Sequence, residues 1–260
     1  MVKDFYFDDI AWVIRYLIVE TGSWLSRRQV LISPISIDRS NSKKRLLFVS
    51  LTKGQVKNSP HIDVQSPISR QHEMTYLGYY GYPHYWGGAG VWGQGAYPGI
   101  MMPGLGYEET ASEILQVQTM AFRKAAEADA DSRRGADAHL RSCAAVAAYQ
   151  IGGNDGDIGH LADFLIDDDS WSIRYLIGNT GNWWPGHQVL ISPEWITDVN
   201  WAAATLSIDL ARDRIRSAPA YDSLSMPDRA GEIDLYRHYG RSDNDPRGSY
   251  AQQSFPGMQE

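Results

Sequence analysis

The chain has 260 residues, 43% hydrophobic and 21% charged, which is enough apolar content to bury a core and argues against wholesale disorder. A formal net charge of −7 and a pI of about 5.5 argue against a nucleic-acid binder working through a large basic face. Cys143 is the single cysteine, so neither an intrachain disulfide framework nor a cysteine zinc cage can form.

The first twelve residues carry Asp4, Asp8 and Asp9 where a secretory signal would be apolar, and no run of 18 apolar residues follows. The expected location is cytoplasmic, with no membrane span. The segment from Asp4 (DFYFDDIAWVIRYLIVETGSWLSRRQVLISPISI) returns at Asp163 as DFLIDDDSWSIRYLIGNTGNWWPGHQVLISPEWI. The offset of 159 holds without a gap to Tyr80-Gly81 and Tyr239-Gly240, and more than a third of the aligned positions are identical. This is a duplicated small domain, not a solenoid.

In chain order the organisation reads as copy one over 1–75, a Gly/Tyr/Trp-rich linker over 76–107, a helical linker over 108–137, copy two over 138–240 and a disordered tail over 241–260. The 76–107 linker has almost no charge and no periodicity and is expected to be irregular, draped on the surface. Residues 108–131 place Ile114, Val117, Met120 and Ala121 at helical spacing behind an acidic first turn. Leu140–Ile151 then reads as β, and Asn154-Asp155-Gly156 turns it into a hairpin with Ile158–Asp167. Apolar alternation gives a strand over Trp171–Gly178, a short apolar strand over His187–Ser192 ends at Pro193, and Thr205–Leu210 alternates again. Helical turns over Ala211–Ser217 and a helix over Pro227–Tyr239, stopped by Gly240, complete the copy. The expected core is Phe5, Ile14, Tyr16, Val30 and Ile32 in copy one, and Phe164, Ile173, Tyr175, Val189 and Ile191 in copy two.

These residues carry a resemblance. Asp155-Gly156 and Ile158-Gly159 leading into Asp163-Phe164, the acidic turn Asp167-Asp168, the strand Trp171–Ile177, Thr180-Gly181 and Val189–Pro193 together resemble a PRC-barrel domain. That family is named for the H subunit of the photosynthetic reaction centre, and a related barrel occurs in a ribosome-maturation factor. The likeness covers Leu140–Tyr221 well and Val2–Asp63 in part. It implies a mainly β fold: two small PRC-like β-barrels joined by the Gly/Tyr-rich linker and a helix, with short terminal helices. Met1-Val2 aligns with His160-Leu161, so copy one lacks the counterpart of the first hairpin. Either the true start lies upstream or another segment supplies the strands, and an open edge invites pairing with another strand.

Asp8-Asp9 and Asp167-Asp168-Asp169 look most like acid–base or cation chemistry, but each sits between two strands, where Asp is good turn chemistry. Arg15 and Arg174 occupy equivalent strand positions and read as an anion or partner contact, or as an exposed or cross-strand ion pair with Asp163 or Glu20. Trp24, Trp183 and Trp184 follow the Thr-Gly turn and read as an apolar contact surface or a barrel cap. No two histidines lie three to five residues apart, Gly152–Gly156 lacks the Lys-Ser/Thr of a phosphate loop, and Ser33 and Ser192 lack an elbow motif. No residue is assigned to catalysis, a cofactor or a metal; the candidate partner-binding residues are Trp24, Trp183, Trp184, Arg15 and Arg174.

The functional expectation is a non-enzymatic binding or assembly protein of a bacterial cytoplasm, engaging a protein partner or itself, with no nucleic acid and with peripheral membrane association left open. An H-subunit-like role in electron or proton transfer is the alternative, and an enzyme using the Asp turns a third. Residues 1–75 carry 11 basic and 7 acidic side chains, and residues 151–260 carry 8 and 17. This asymmetry suggests docking of the basic copy, through Arg27, Arg28, Lys43, Lys44 and Arg45, on acids.

Overall fold

The structure, a computed structural model, describes residues 1–22, 28–41, 44–60, 68–86, 90–93, 95–98, 139–181, 187–222 and 227–241. It is mainly β and divides into two units: Met1–Arg141 with Asp169–Trp171, and Ser142–Asp168 with Ser172–Glu260. The expected helix over 108–131, the tail from 242, Trp24, Trp183 and Trp184 lie outside the described residues.

In the first unit, β1 (Val2–Asp8), β2 (Val13–Thr21) and β3 (Arg28–Ile32) form an antiparallel meander, with Phe5 opposite Leu17 and Leu17 opposite Ile32. A 3-10 turn over Pro34–Ser36, capped by the Ser33 hydroxyl, leads into the separate ribbon of β4 (Ile37–Asn41) and β5 (Leu46–Val49). Two helices follow, α1 (Lys53–Asn58) and α2 (Arg70–Tyr80). Ser69 caps the start of α2, and Gly81, at φ 70°, supplies the left-handed residue that ends it.

Copy one therefore runs past the expected boundary at 75. The linker start is not irregular: Tyr76 and Leu77 lie in α2, and Tyr85 and Trp92 are buried in the same unit, 5% and 7% exposed. Large apolar rings leave water whenever a core offers room, and lack of periodicity does not prevent it.

The second unit holds β7 (Gln150–Gly153), β8 (Gly156–Ile166), β9 (Ile173–Asn179), β10 (Gln188–Ile191), β11 (Ile196–Asn200) and β12 (Thr205–Ile208). They form one sheet in the order β10-β9-β8-β7-β12-β11. The β7–β8 hairpin turns at Asn154-Asp155 as the sequence predicts, with Gly153 opposite Gly156. β8 pairs with β7 through its first half and with β9 through its second. The crossover needs Gly159, at φ 146°, where a Cβ would sit 2.1 Å from the Asn179 carbonyl. The unit's described helices are α3 (Cys143–Val146), α4 (Arg212–Arg216) and α5 (Arg229–His238).

Two expectations change here. Among the described residues none of the sheets closes into a barrel; β10 and β11 end the six-stranded one. Alternation and turn spacing specify strands and their neighbours in sequence, whereas closure needs the first and last strands to meet, which no local pattern encodes. Leu140–Ile151 is not one strand: Leu140–Ser142 is a short strand, β6, on the outer side of β1, followed by α3 and then β7.

The duplication is written into the backbone. Trp12 and Trp171 have φ of 53° and 61°, Arg45 and Ala204 of 51° and 55°, and Gly81 and Gly240 of 70° and 68°. Each pair is 159 residues apart, and Arg45 and Ala204 share the bend without sharing a side chain. Of the expected core, Ile14, Tyr16, Val30, Ile32, Ile173, Tyr175, Val189 and Ile191 are buried. Phe5 and Phe164 are only half-buried, and Phe7 fills the first unit's interior instead. Ile173→Ala should lower the unfolding free energy by about 2–5 kcal/mol in a urea titration. A shift under about 1 kcal/mol would place that side chain at the surface.

Candidate functional site

The polar chemistry of the first unit gathers around one carboxylate. Glu73 lies in the first turn of α2, where the helix dipole favours an anion, and is fully buried. Its Oε2 is 2.6 Å from His139 Nε2 and 3.1 Å from Arg70 Nη1, and its Oε1 accepts a hydrogen bond from the Tyr85 hydroxyl. The same hydroxyl is 3.0 Å from Arg70 Nη1 and 3.5 Å from His139 Nε2. β6 delivers His139: the His139 carbonyl accepts from Asp9 N at 3.0 Å, and Arg141 Nε binds Asp9 Oδ2 at 2.8 Å.

Beside it Arg15, only 2% exposed, donates to Asp8 Oδ2 at 3.1 Å and to the Val91 carbonyl. Its guanidinium lies 3.9 Å from the centre of the Tyr85 ring and 4.9 Å from that of Trp92. Burial pulls Arg15 below its ordinary pKa, opposed by Tyr85 and Asp8. Burial, reinforced by the Glu73 charge, raises Tyr16 and Tyr85 well above the usual phenol range.

The second unit repeats the plan in simpler form. Glu232, in the first turn of α5, accepts from Arg174 Nη2 at 3.0 Å and from the Tyr175 hydroxyl at 3.2 Å, and Arg229 approaches to 3.9 Å. Arg70/Arg229, Glu73/Glu232, Arg15/Arg174 and Tyr16/Tyr175 all sit at the 159 offset. In the second copy a strand-borne Arg and Tyr and a helix-borne Glu thus tie the terminal helix to the sheet. In the first unit Arg15 bonds Asp8 instead, and His139 and Tyr85 take up Glu73.

Arg15 is therefore not a surface partner contact, and neither arginine is an exposed ion pair with Glu20 or Asp163. Arg174 is turned to Glu232, and Glu20 pairs with Lys3 at 3.5 Å. Period-two alternation misplaces Arg15 because β2 is buried on both faces from Val13 to Ile18. The Asp turns are turns: Asp8 Oδ1 accepts from Ile10 N and Ala11 N, and Asp167 N donates to the Ser172 carbonyl. Both carboxylates of the first turn are bound, to Arg15 and Arg141. Ser192 caps a 3-10 turn as Ser33 does. Among the described residues, no group of three or more His, Cys, Asp or Glu is placed to hold a metal.

Glu73, His139 and Tyr85 carry no motif. The available signal was the identity of Glu73 with Glu232 across the repeat, at a buried helix position. No protein-family model matches the chain, and no curated protein matches it either.

Glu73→Ala would leave His139, Arg70 and Tyr85 facing an empty, desolvated site. It should destabilise the first unit by about 3–5 kcal/mol in chemical denaturation. The exposed pair Arg237–Asp234 provides the control, with Arg237→Ala costing under about 1 kcal/mol.

The tyrosines set an alkaline limit. Tyr16, Tyr76, Tyr85, Tyr175 and Tyr239 all have folded-state pKa values raised above 10.0, chiefly by burial. Their contribution to stability is complete below the unfolded value and is lost as pH rises through the folded ones. Absorbance at 295 nm should therefore show these phenols ionising only together with loss of near-UV circular dichroism.

Proposed function

We propose that the chain is a duplicated PRC-barrel-type protein that acts by binding and assembly rather than by catalysis. The sequence likeness over Leu140–Tyr221, the Arg, Tyr and Glu residues repeated at the 159 offset and the meander at the centre of each copy support the family reading. The observation that carries the binding reading is β5. Among the described residues this strand pairs only with β4, and Leu46, Phe48 and Val49 are 48%, 38% and 38% exposed. Its counterpart β12 has strands on both sides: Leu206 and Ile208, which answer Leu47 and Val49, are 1% and 3% exposed, and the outward positions that answer Leu46 and Phe48 are the polar Thr205 and Ser207. An apolar strand with an open edge is a template for another chain.

The test is affinity capture of the tagged full chain from the source cell, with quantitative mass spectrometry. A partner recovered in stoichiometric amount, and lost when Phe48 and Val49 are both changed to Ser, supports the reading. Recovery unaffected by that change, or no enriched partner, overturns it. No helix among the described residues is long and apolar enough to cross a membrane.

A further inference from the structure

Resting on that binding reading, we infer that β5 receives an extended, acidic segment of another protein, which adds to the ribbon as a parallel strand. The second unit supplies the template. There β7 lies parallel to β12, with Gln150, Ile151 and Gly152 opposite Thr205, Leu206 and Ser207. Gln150 N donates to the Ala204 carbonyl and Asn154 N to the Leu210 carbonyl, both at 3.0 Å. The 159 offset maps these positions onto Leu46, Leu47 and Phe48, with the Arg45 and Leu51 carbonyls as anchors.

The ribbon matches β12 in its own bonds. Ser50 N donates to the Ser36 carbonyl at 2.9 Å, as Asp209 N does to that of Trp195 at 2.8 Å. β5 is thus held in the attitude that accepts a strand in the second unit. A Cβ at Gly153 would meet the Leu210 carbonyl at 2.5 Å, so the incoming strand needs a small residue where it passes Leu51.

Charge selects the occupant. Arg39, Lys44, Arg45, Lys53 and Lys57 are exposed on and beside the ribbon, and Asp38 is the only acid between residues 28 and 60. Arg28 is already committed, donating to the carbonyls of Lys57 and Ser59. In the second unit the hairpin segment 148–160 carries Asp155 and Asp157 and neither Lys nor Arg. A second copy's β5 would bring the same cations to the edge, and edge lysines are a known device against self-pairing.

The probe is a fluorescent peptide of residues 148–160 (AYQIGGNDGDIGH) added to the full chain. Anisotropy should show submillimolar binding that weakens about tenfold or more in Lys44→Glu/Arg45→Glu and falls with added salt. These substitutions lie at an exposed turn, and circular dichroism checks that the fold is kept. Hydrogen exchange should slow at the amides of Leu46–Val49 when the peptide is added. Absence of binding, binding indifferent to the charge reversal, or slowing confined to other strands overturns the inference. So does a dimer, by light scattering, whose β5 amides are already protected. If the peptide fails while the capture experiment still returns a Phe48- and Val49-dependent partner, only this inference falls.

Discussion

A glutamate carboxylate taken out of water at the start of a helix is the constraint around which each copy is arranged. Such a group is costly to desolvate and is tolerated only with donors on every side. Glu73 and Glu232 meet that demand with groups brought from elsewhere in the chain, so each terminal helix has one seating on its sheet. Ser69 and Asp228 cap the helix starts, and Gly81 and Gly240 turn the chain after them. The ends of the helix are thus set locally, and the carboxylate sets which way it faces.

The two copies keep this frame and fill it differently. In the second unit the donors to Glu232 come from β9 and from α5 itself, within the repeat. In the first unit Tyr85 lies beyond the end of α2, and His139 arrives just before β6, from past the linkers. Arg15, released from the glutamate, is held by Asp8 under two aromatic rings. The aromatic stretch after α2 is therefore part of the first unit's packing.

The same divergence leaves the units unequal at their ribbons. β11 and β12 are continuous with a six-stranded sheet, whereas among the described residues β4 and β5 stand as a pair. Positions that are core in the second copy are more exposed in the first without any loss of apolar character: Leu47, half-buried, is identical to the buried Leu206, and the exposed Val49 answers the buried Ile208. Arg39 lies over Phe48, its guanidinium 4.2 Å from the ring centre, which shields part of that face with a cation.

The duplication, the strands around Ile14 and Ile173, the hairpin at Asn154-Asp155, the terminal helices and most of the core were legible in the sequence. Each depends on local period, turn chemistry or the repeat itself. The burial of Arg15, the gathering of Glu73, Tyr85 and His139, the transfer of Leu140 to the first unit and the open sheets were not. His139 is 66 residues from Glu73, and Arg141 is 132 from Asp9. Contacts at that separation follow from which surfaces exclude water together, and no pattern within a strand or helix records them. The sequence by itself determined a twice-used β scaffold and its local turns; the tertiary structure alone decided which charges are buried and how the described strands pair, because both depend on what the rest of the chain brings alongside.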